Sequence, residues 1–143
     1  MDIRPGNAQW QGTRSEQQDA FGFVGFEDPA LSAHGGVLAV LTDGMGGMSN
    51  GRQAGRLACE RMMTAYAEKG ADEPIGRALE RALTAANQAV YRLAVEGEGE
   101  GQVGTTLVAA AVRGSELHWV GVGDSRLYRY RAEDDSLTVC TTD

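Results

Sequence analysis

The sequence lacks the features that mark several protein classes. It has 3 prolines and 2 cysteines among 143 residues, and its apolar stretches are far shorter than a membrane span. The two cysteines, Cys59 and Cys140, are distant and match neither a disulfide framework nor a metal-binding spacing, so we expect a lone buried thiol at each site. The first residues lack the apolar run of a signal peptide. These absences favour a cytoplasmic protein.

Positive charge is scarce as well. Twenty acidic residues against 13 lysines and arginines give a net charge of −7. Because nucleic acids and membrane surfaces carry dense negative charge, this composition disfavours both as partners. A divalent cation or a basic peptide is compatible with it, although solubility alone accounts for the charge.

What the sequence contains is typical of one soluble globular domain. The hydrophobic fraction is 42% and the charged fraction is 23%. The chain has 20 glycines without a collagen period. Such a number indicates tight turns and close backbone approaches.

The hydropathy pattern predicts strands towards both ends of the chain and helices between them. Alternation predicts a strand over Asp19–Phe26, and the continuous apolar run Val37–Leu41 predicts a strand buried on both faces. Helical periodicity predicts one helix from about Ser49 to Lys69 and a second from about Glu73 to Ala94. The acidic, glycine-spaced stretch 96–101 is predicted to be a solvated connector.

Four further strands are predicted in the last third of the chain, as an antiparallel meander. They cover Thr105–Val112, Glu116–Val122, Arg126–Tyr130 and Leu137–Cys140. Strands clustered at both ends, with helices between, favour an α+β layer architecture over a doubly wound parallel sheet.

Three short segments combine charged side chains with glycine or with a strand end. Arg14 precedes Asp19 by five positions, and a guanidinium fork matches a phosphate, although a surface ion pair is the simpler interpretation. Asp43 follows the apolar strand, where an unpaired charge is costly and a hard divalent cation would offset it. The Gly44 carbonyl is a further oxygen ligand, unless Asp43-Gly44 is a plain turn. Asp124 follows Gly123, which is also compatible with a hairpin turn.

Together these segments resemble one known family. Arg14…Gln18-Asp19-Ala20, Asp43-Gly44-Met45-Gly46-Gly47, Gly104-Thr105-Thr106 and Gly123-Asp124-Ser125-Arg126 occur in the order and spacing of the PPM-type (type 2C) metal-dependent serine/threonine protein phosphatases, in their bacterial branch. The resemblance runs from about Arg14 to Leu127. It implies a four-layer αββα sandwich of two antiparallel sheets flanked by helix pairs, incomplete in this chain.

The resemblance also implies site residues. Asp43 would bridge two Mn²⁺ or Mg²⁺ ions, Gly44 would add its carbonyl, and Asp19 would bind or order metal-bound water. Arg14 would hold the substrate phosphate, and Asp124 would contribute to a further, looser metal site. Arg14 and Asp43 are thus the expected catalytic residues.

The implied reaction is hydrolysis of phosphoserine or phosphothreonine by attack of a metal-bridged water, with two or three ions in a complete domain. The implied partners are a phosphorylated protein and an opposing Ser/Thr kinase. His34 and His118 match no motif, so the sequence identifies no histidine acid.

Two departures from the family pattern bear on this expectation. Gln18 stands where Glu-Asp members have a metal-binding glutamate, and the sequence has no counterpart of the family's later Asp-Gly and Gly-Asp-Asn segments. Residues 1–143 are therefore expected to be the N-terminal portion of one catalytic domain. Three alternatives stay open: a fragment, a short form completed by a partner or by self-association through sheet edges, and a non-catalytic module that binds a phosphoprotein or a kinase.

Overall fold

The computed structural model of the protein describes residues 3–45, 48–96 and 103–142. Its regular elements begin at residue 19. The strands are β1 (Asp19–Val24), β2 (Val37–Met45), β3 (Gly104–Thr105), β4 (Leu107–Arg113), β5 (Glu116–Val122), β6 (Tyr128–Arg131) and β7 (Ser136–Val139). The helices are α1 (Pro29–Gly35), α2 (Met48–Ala67) and α3 (Ile75–Glu96).

The main sheet has the order β1-β2-β4-β5, and each of these neighbours is antiparallel. Strand β3 pairs with the end of β2, and β6 pairs with β7 in a separate two-stranded sheet. The predicted α+β class with antiparallel sheets is confirmed. The predicted continuous meander is wrong, because β5 and β6 do not pair: the chain leaves the main sheet at Gly123, whose φ is +91°.

Helices α2 and α3 pack against each other, and α2 also packs on β1 and β2. The apolar stripe predicted for α3 is confirmed, since Leu79, Ala82 and Ala86 are each at most 1% exposed. On α2, Ala58 and Met62 are buried in the same core. Small residues at these contacts let the helices lie close to each other and to the sheet.

After its first residue, Val37, strand β2 has its large side chains buried on one face only. Leu38, Val40 and Thr42 are buried, whereas Leu41 is 43% exposed. The predicted burial of both faces is wrong, because α2 and α3 cover one side of the sheet and successive side chains point to opposite sides. Exposed apolar side chains, which the incomplete sandwich predicts, are present on this sheet at Leu41 and at Trp119.

Helix α1 is an element that the hydropathy pattern does not predict. Asp28 caps it by accepting a hydrogen bond from the Leu31 amide at 2.9 Å, and Pro29 occupies its first turn. The Asp-Pro pair is a helix-start signal, but α1 is too short to show a helical hydropathy period. The connector predicted at 96–101 lies outside the described residues, apart from Glu96 at the end of α3.

Both cysteines are free thiols, as predicted. Cys59 is buried, whereas the predicted burial of Cys140 is wrong, because this residue is only half-buried. Among the described residues, no helix combines the length and the apolar character needed to cross a bilayer.

Candidate active site

Asp19 and Asp43 lie directly opposite each other across the β1–β2 ladder. Side chains of cross-strand partners project to the same face, with Cβ atoms about 5 Å apart. Asp43 and Gly44 are part of β2, which continues to Met45, so the interpretation of this segment as a plain turn is wrong. The fold thus brings together two carboxylates that the sequence places in separate motifs.

The pKa of Asp43 is raised above its ordinary value of 3.8. Burial is the largest cause, followed by the charge of Asp19 and a hydrogen bond between the two carboxyl groups. The charge of Asp124 raises this pKa further, and the guanidinium of Arg14 opposes the shift. Asp19, Asp124 and Arg14, which the sequence places in separate motifs, therefore all act on Asp43 in the folded chain.

An open cleft of about 440 Å³ contains this pair. Arg14, Asp19, Asp43 and Gly44 all line it, and so does Trp10, which is 88% exposed. A guanidinium and two carboxylates facing one cavity suit a phosphate and a cation together.

Hydrogen bonds and an ion pair hold the segment from Gln11 to Gln18, which has no helix or strand and leads into β1 at Asp19. The Arg14 amide donates to the Gln11 carbonyl at 3.2 Å, and the Gln11 side chain donates to the Arg14 carbonyl at 2.8 Å. Glu16 pairs with Arg52 of α2 at 3.3 Å, and Gln17 donates to an Asp19 carboxylate oxygen at 2.8 Å. These contacts hold Arg14 at the cleft, although this residue lies outside any helix or strand.

The end of β2 lies against the first turns of α2. A Cβ at Gly44 would overlap the backbone oxygen of Gly51, so glycine alone fits at this position. The side-chain amide of Gln18 lies against Gly51 as well, since a Cβ built there would be 2.8 Å from Gln18 Oε1. Gln18, which stands at the position of the family's glutamate, therefore places its side-chain amide against the backbone of α2.

Asp124 lies in the bend that follows β5 and is not among the residues that line the cleft, although its charge acts on Asp43. In the described part of the chain, no group of three or more His, Cys, Asp or Glu side chains is arranged to hold a metal ion. The expected ligands are thus only partly assembled.

The Asp19–Asp43 pair nevertheless fits a divalent cation. The two carboxylates face each other across the ladder and repel each other when both are ionised, and a cation placed between them would offset that repulsion. With the Gly44 carbonyl they offer three of the six or more oxygen ligands that such a cation requires. Water or phosphate oxygens would have to supply the others.

The two histidines lie elsewhere in the fold. His34 of α1 has its Nδ1 atom 3.2 Å from Lys69 Nζ, and His118 of β5 has its Nε2 atom 3.5 Å from a Glu116 carboxylate oxygen. Neither lines the cleft. This agrees with the sequence analysis, which identifies no histidine acid.

Comparison with known proteins gives consistent matches. The protein phosphatase 2C family model matches residues 11–143. The serine/threonine protein phosphatase PstP of Mycobacterium tuberculosis is 39% identical over 113 residues, which are 76% of this chain and 21% of PstP.

Solved structures show the same similarity. A crystal structure of M. tuberculosis PstP superposes with a TM-score of 0.71 at 27% identity, covering 91% of this chain and 49% of that structure. The PstP catalytic domain in complex with two manganese ions gives a TM-score of 0.71 at 28% identity, covering 91% and 50%. A serine/threonine phosphatase of S. agalactiae matches at 25% identity with a TM-score of 0.71, covering 92% and 52%. The chain thus spans about half of these structures and about a fifth of full-length PstP.

Proposed function

The chain belongs to the protein phosphatase 2C family, and on that premise we propose that it is the N-terminal portion of the catalytic domain of a metal-dependent protein serine/threonine phosphatase. The observation that carries this proposal is the Asp19–Asp43 carboxyl pair, which lies in one cleft with the Arg14 guanidinium. The matches to PstP support the substrate class, a phosphorylated serine or threonine in a protein.

Asp43, Asp19 and the Gly44 carbonyl would hold Mn²⁺ or Mg²⁺, and Asp124 would contribute to a looser site, with two or three ions in a complete domain. Such ions acidify water to a nucleophile and neutralise charge on the phosphoryl group. The two manganese ions bound by the PstP catalytic domain support this assignment.

Arg14 would hold and orient the phosphate. Its planar guanidinium offers two parallel donors to phosphoryl oxygens. Among the residues that line the described cleft, Arg14 is the only cationic side chain, so a substrate anion would bind there rather than at the two carboxylates. Hydrolysis forms a new bond from phosphorus to the oxygen of water and breaks the ester bond to the serine or threonine oxygen. Arg14 acts by stabilising charge on the phosphoryl oxygens as that exchange proceeds.

The partners that follow from this reaction are phosphorylated proteins and the Ser/Thr kinase that modifies them. The scarcity of cysteine and of long apolar runs supports a cytoplasmic location.

Hydrolysis of p-nitrophenyl phosphate and of a phosphoserine peptide, measured against Mn²⁺ concentration, tests the proposal. We expect activity that requires Mn²⁺ and that Asp43→Ala abolishes. Asp72→Ala is the matched control, because it removes an equal charge from an exposed site outside the cleft and should leave the rate unchanged. Mn²⁺-independent hydrolysis, or hydrolysis that survives Asp43→Ala, would contradict it.

A second candidate function is a phosphatase-like module that binds a phosphoprotein or a kinase without turnover. It is favoured by the absence, within the described residues, of a group of three or more His, Cys, Asp or Glu side chains arranged to hold a metal ion. Binding of the phosphopeptide with no hydrolysis at any Mn²⁺ concentration would establish this function instead. Thermal stabilisation by Mn²⁺ without affinity for the phosphopeptide would indicate a purely structural cation site.

A further inference from the structure

Thr106 connects the two parts of the chain that carry Asp43 and Asp124. Its amide donates to the Asp43 carbonyl at 2.9 Å, and its Oγ1 atom accepts from the Asp43 amide at 3.1 Å. The same Oγ1 atom lies 2.6 Å from Oγ of Ser125, the residue after Asp124. Thr106 is 3% exposed, so water competes little for these hydrogen bonds.

The hydroxyl of Thr106 therefore has two different partners. Since Oγ1 accepts the Asp43 amide proton, its own proton is available for Ser125 Oγ. Two hydrogen bonds in series join the backbone of Asp43 to the side chain next to Asp124. Backbone–backbone bonding between β2 and the Thr106 amide does not depend on this hydroxyl, so the side chain is free for a separate role.

The bend that contains Asp124 packs directly on Thr106. A Cβ at Gly123 would lie 2.8 Å from Thr106 Cγ2, and the φ of Gly123 is +91°, a conformation that favours glycine. A larger residue would push the bend away from Thr106. The glycine thus permits the approach, and the Thr106–Ser125 hydrogen bond fixes it.

We propose that Thr106 and Ser125 are positioning residues that set the place of Asp124 relative to Asp43, so that both carboxylates serve the same group of cations. This inference rests on the proposed function. Neither hydroxyl needs to contact a cation or a phosphate. A carboxylate on a bend without such a bond samples more positions, and a cation that needs several ligands at once is then bound less tightly.

The first test is made without metal. Order parameters of the backbone amides of residues 124 and 125 are measured by ¹⁵N relaxation in the parent chain and in Thr106→Val, which keeps the shape of the side chain and removes its hydroxyl. We expect a loss of order at both amides in this variant, and recovery in Thr106→Ser. Unchanged order in Thr106→Val would overturn the proposal.

Two further variants keep this test decisive. Ser125→Ala removes the other half of the hydroxyl pair at a half-buried site, so it is suitable if Thr106→Val folds poorly, and it should produce the same loss of order. Tyr66→Phe is the matched control, because it also deletes a buried hydroxyl hydrogen bond, from Tyr66 to the Gly35 carbonyl at 2.7 Å, near the far end of α2. It should lower the melting temperature without changing order at residues 124 and 125.

The second test is a double-mutant cycle in Mn²⁺ affinity, measured by isothermal titration. Thr106→Val and Asp124→Ala should each raise the Mn²⁺ Kd about three- to tenfold, the size expected from losing one hydrogen-bonded or charged contact. The double variant should bind no more weakly than Asp124→Ala alone, because Thr106 acts through Asp124. Additive effects, or an unchanged Kd in Thr106→Val, would overturn the proposal. A parent chain that binds no Mn²⁺ would contradict the proposed function instead, and the metal-free test would still decide the role of Thr106.

Discussion

Asp19 and Asp43 lie directly opposite each other across the β1–β2 ladder, and after burial the charge of Asp19 is the next cause of the raised pKa of Asp43. At neutral pH two carboxylates this close repel each other. The buried side chains of β2 fix the strand register, and this register keeps the two residues opposite each other despite the repulsion. The pair is therefore preorganised for a cation in the metal-free fold.

Replacing Asp43 with asparagine should stabilise the metal-free chain at neutral pH. The raised pKa of Asp43 means that the folded state favours the protonated carboxyl, so its contribution to stability is complete below the ordinary value of 3.8 and is lost as pH rises through the raised value. Asp43 is only partly shielded from solvent, so water screens most of the repulsion, and we expect a gain below about 1 kcal/mol in Asp43→Asn.

Melting temperatures of both proteins in the presence of a chelator measure this effect. The advantage of Asp43→Asn should disappear at acid pH, and Mn²⁺ should stabilise the parent chain only. A lower melting temperature for Asp43→Asn at neutral pH would show that the carboxylate is not strained in the metal-free fold.

Mn²⁺ affinity should fall as the pH is lowered, starting at a higher pH than for an ordinary carboxylate. The raised pKa of Asp43 makes protons stronger competitors for the site, so the Kd should rise by up to about tenfold for each pH unit below that pKa. Isothermal titration in buffers of different ionisation enthalpy also counts the protons released. Binding without proton release across this range would be inconsistent with a shared Asp19–Asp43 site.

The family pattern identified the residues of the cleft, but the reason for their proximity is visible only in the structure. Asp19 and Asp43 become neighbours through the β1–β2 register, a long-range pairing that local periodicity does not encode. Helices α2 and α3 were predictable because each presents a long apolar stripe to the core. The one-sided burial of β2 was not, because a continuous apolar run looks the same whether one face or both are covered.

The hydrogen bond between Thr106 and Ser125 also could not be predicted from the sequence. Two hydroxyl groups carry no hydropathy signal, and the family resemblance implies only a structural role for the motifs that contain them. Their distance follows from the sharp bend at Gly123, which takes the chain out of the main sheet.

The two cysteines should differ in reactivity. Burial raises the pKa of the Cys59 thiol to about 11, and the charge of Glu60 adds to the shift, whereas Cys140 is half-buried. Since the thiolate is the reactive form, an aromatic disulfide reagent should modify one thiol quickly in the native protein and two in denaturant. Cys140→Ser should abolish the fast phase. Rapid modification of both thiols in the native protein would contradict the burial of Cys59.

One face of the β6–β7 hairpin should promote self-association. Tyr128 pairs with Val139 and Tyr130 pairs with Leu137, and all four side chains are between 49% and 64% exposed. An apolar face on a two-stranded sheet is unstable in water unless something covers it. We expect the sedimentation coefficient to increase with protein concentration, and Leu137→Lys to reduce this increase.

Thr138→Lys is the control for that experiment, since it adds the same charge to the opposite face of the hairpin. It should leave the association unchanged. A parent chain that stays monomeric at high concentration would show that the hairpin face does not bind a second copy.

Asp19 and Asp43 should hold one cation together. Isothermal titration of Mn²⁺ into the parent chain, Asp19→Ala, Asp43→Ala and the double variant tests it most directly. Each single substitution should raise the Kd by at least about tenfold, and the double variant should bind no more weakly than the weaker single one, because either loss destroys the shared site. Independent, additive losses, or Mn²⁺ binding that neither substitution changes, would contradict the account.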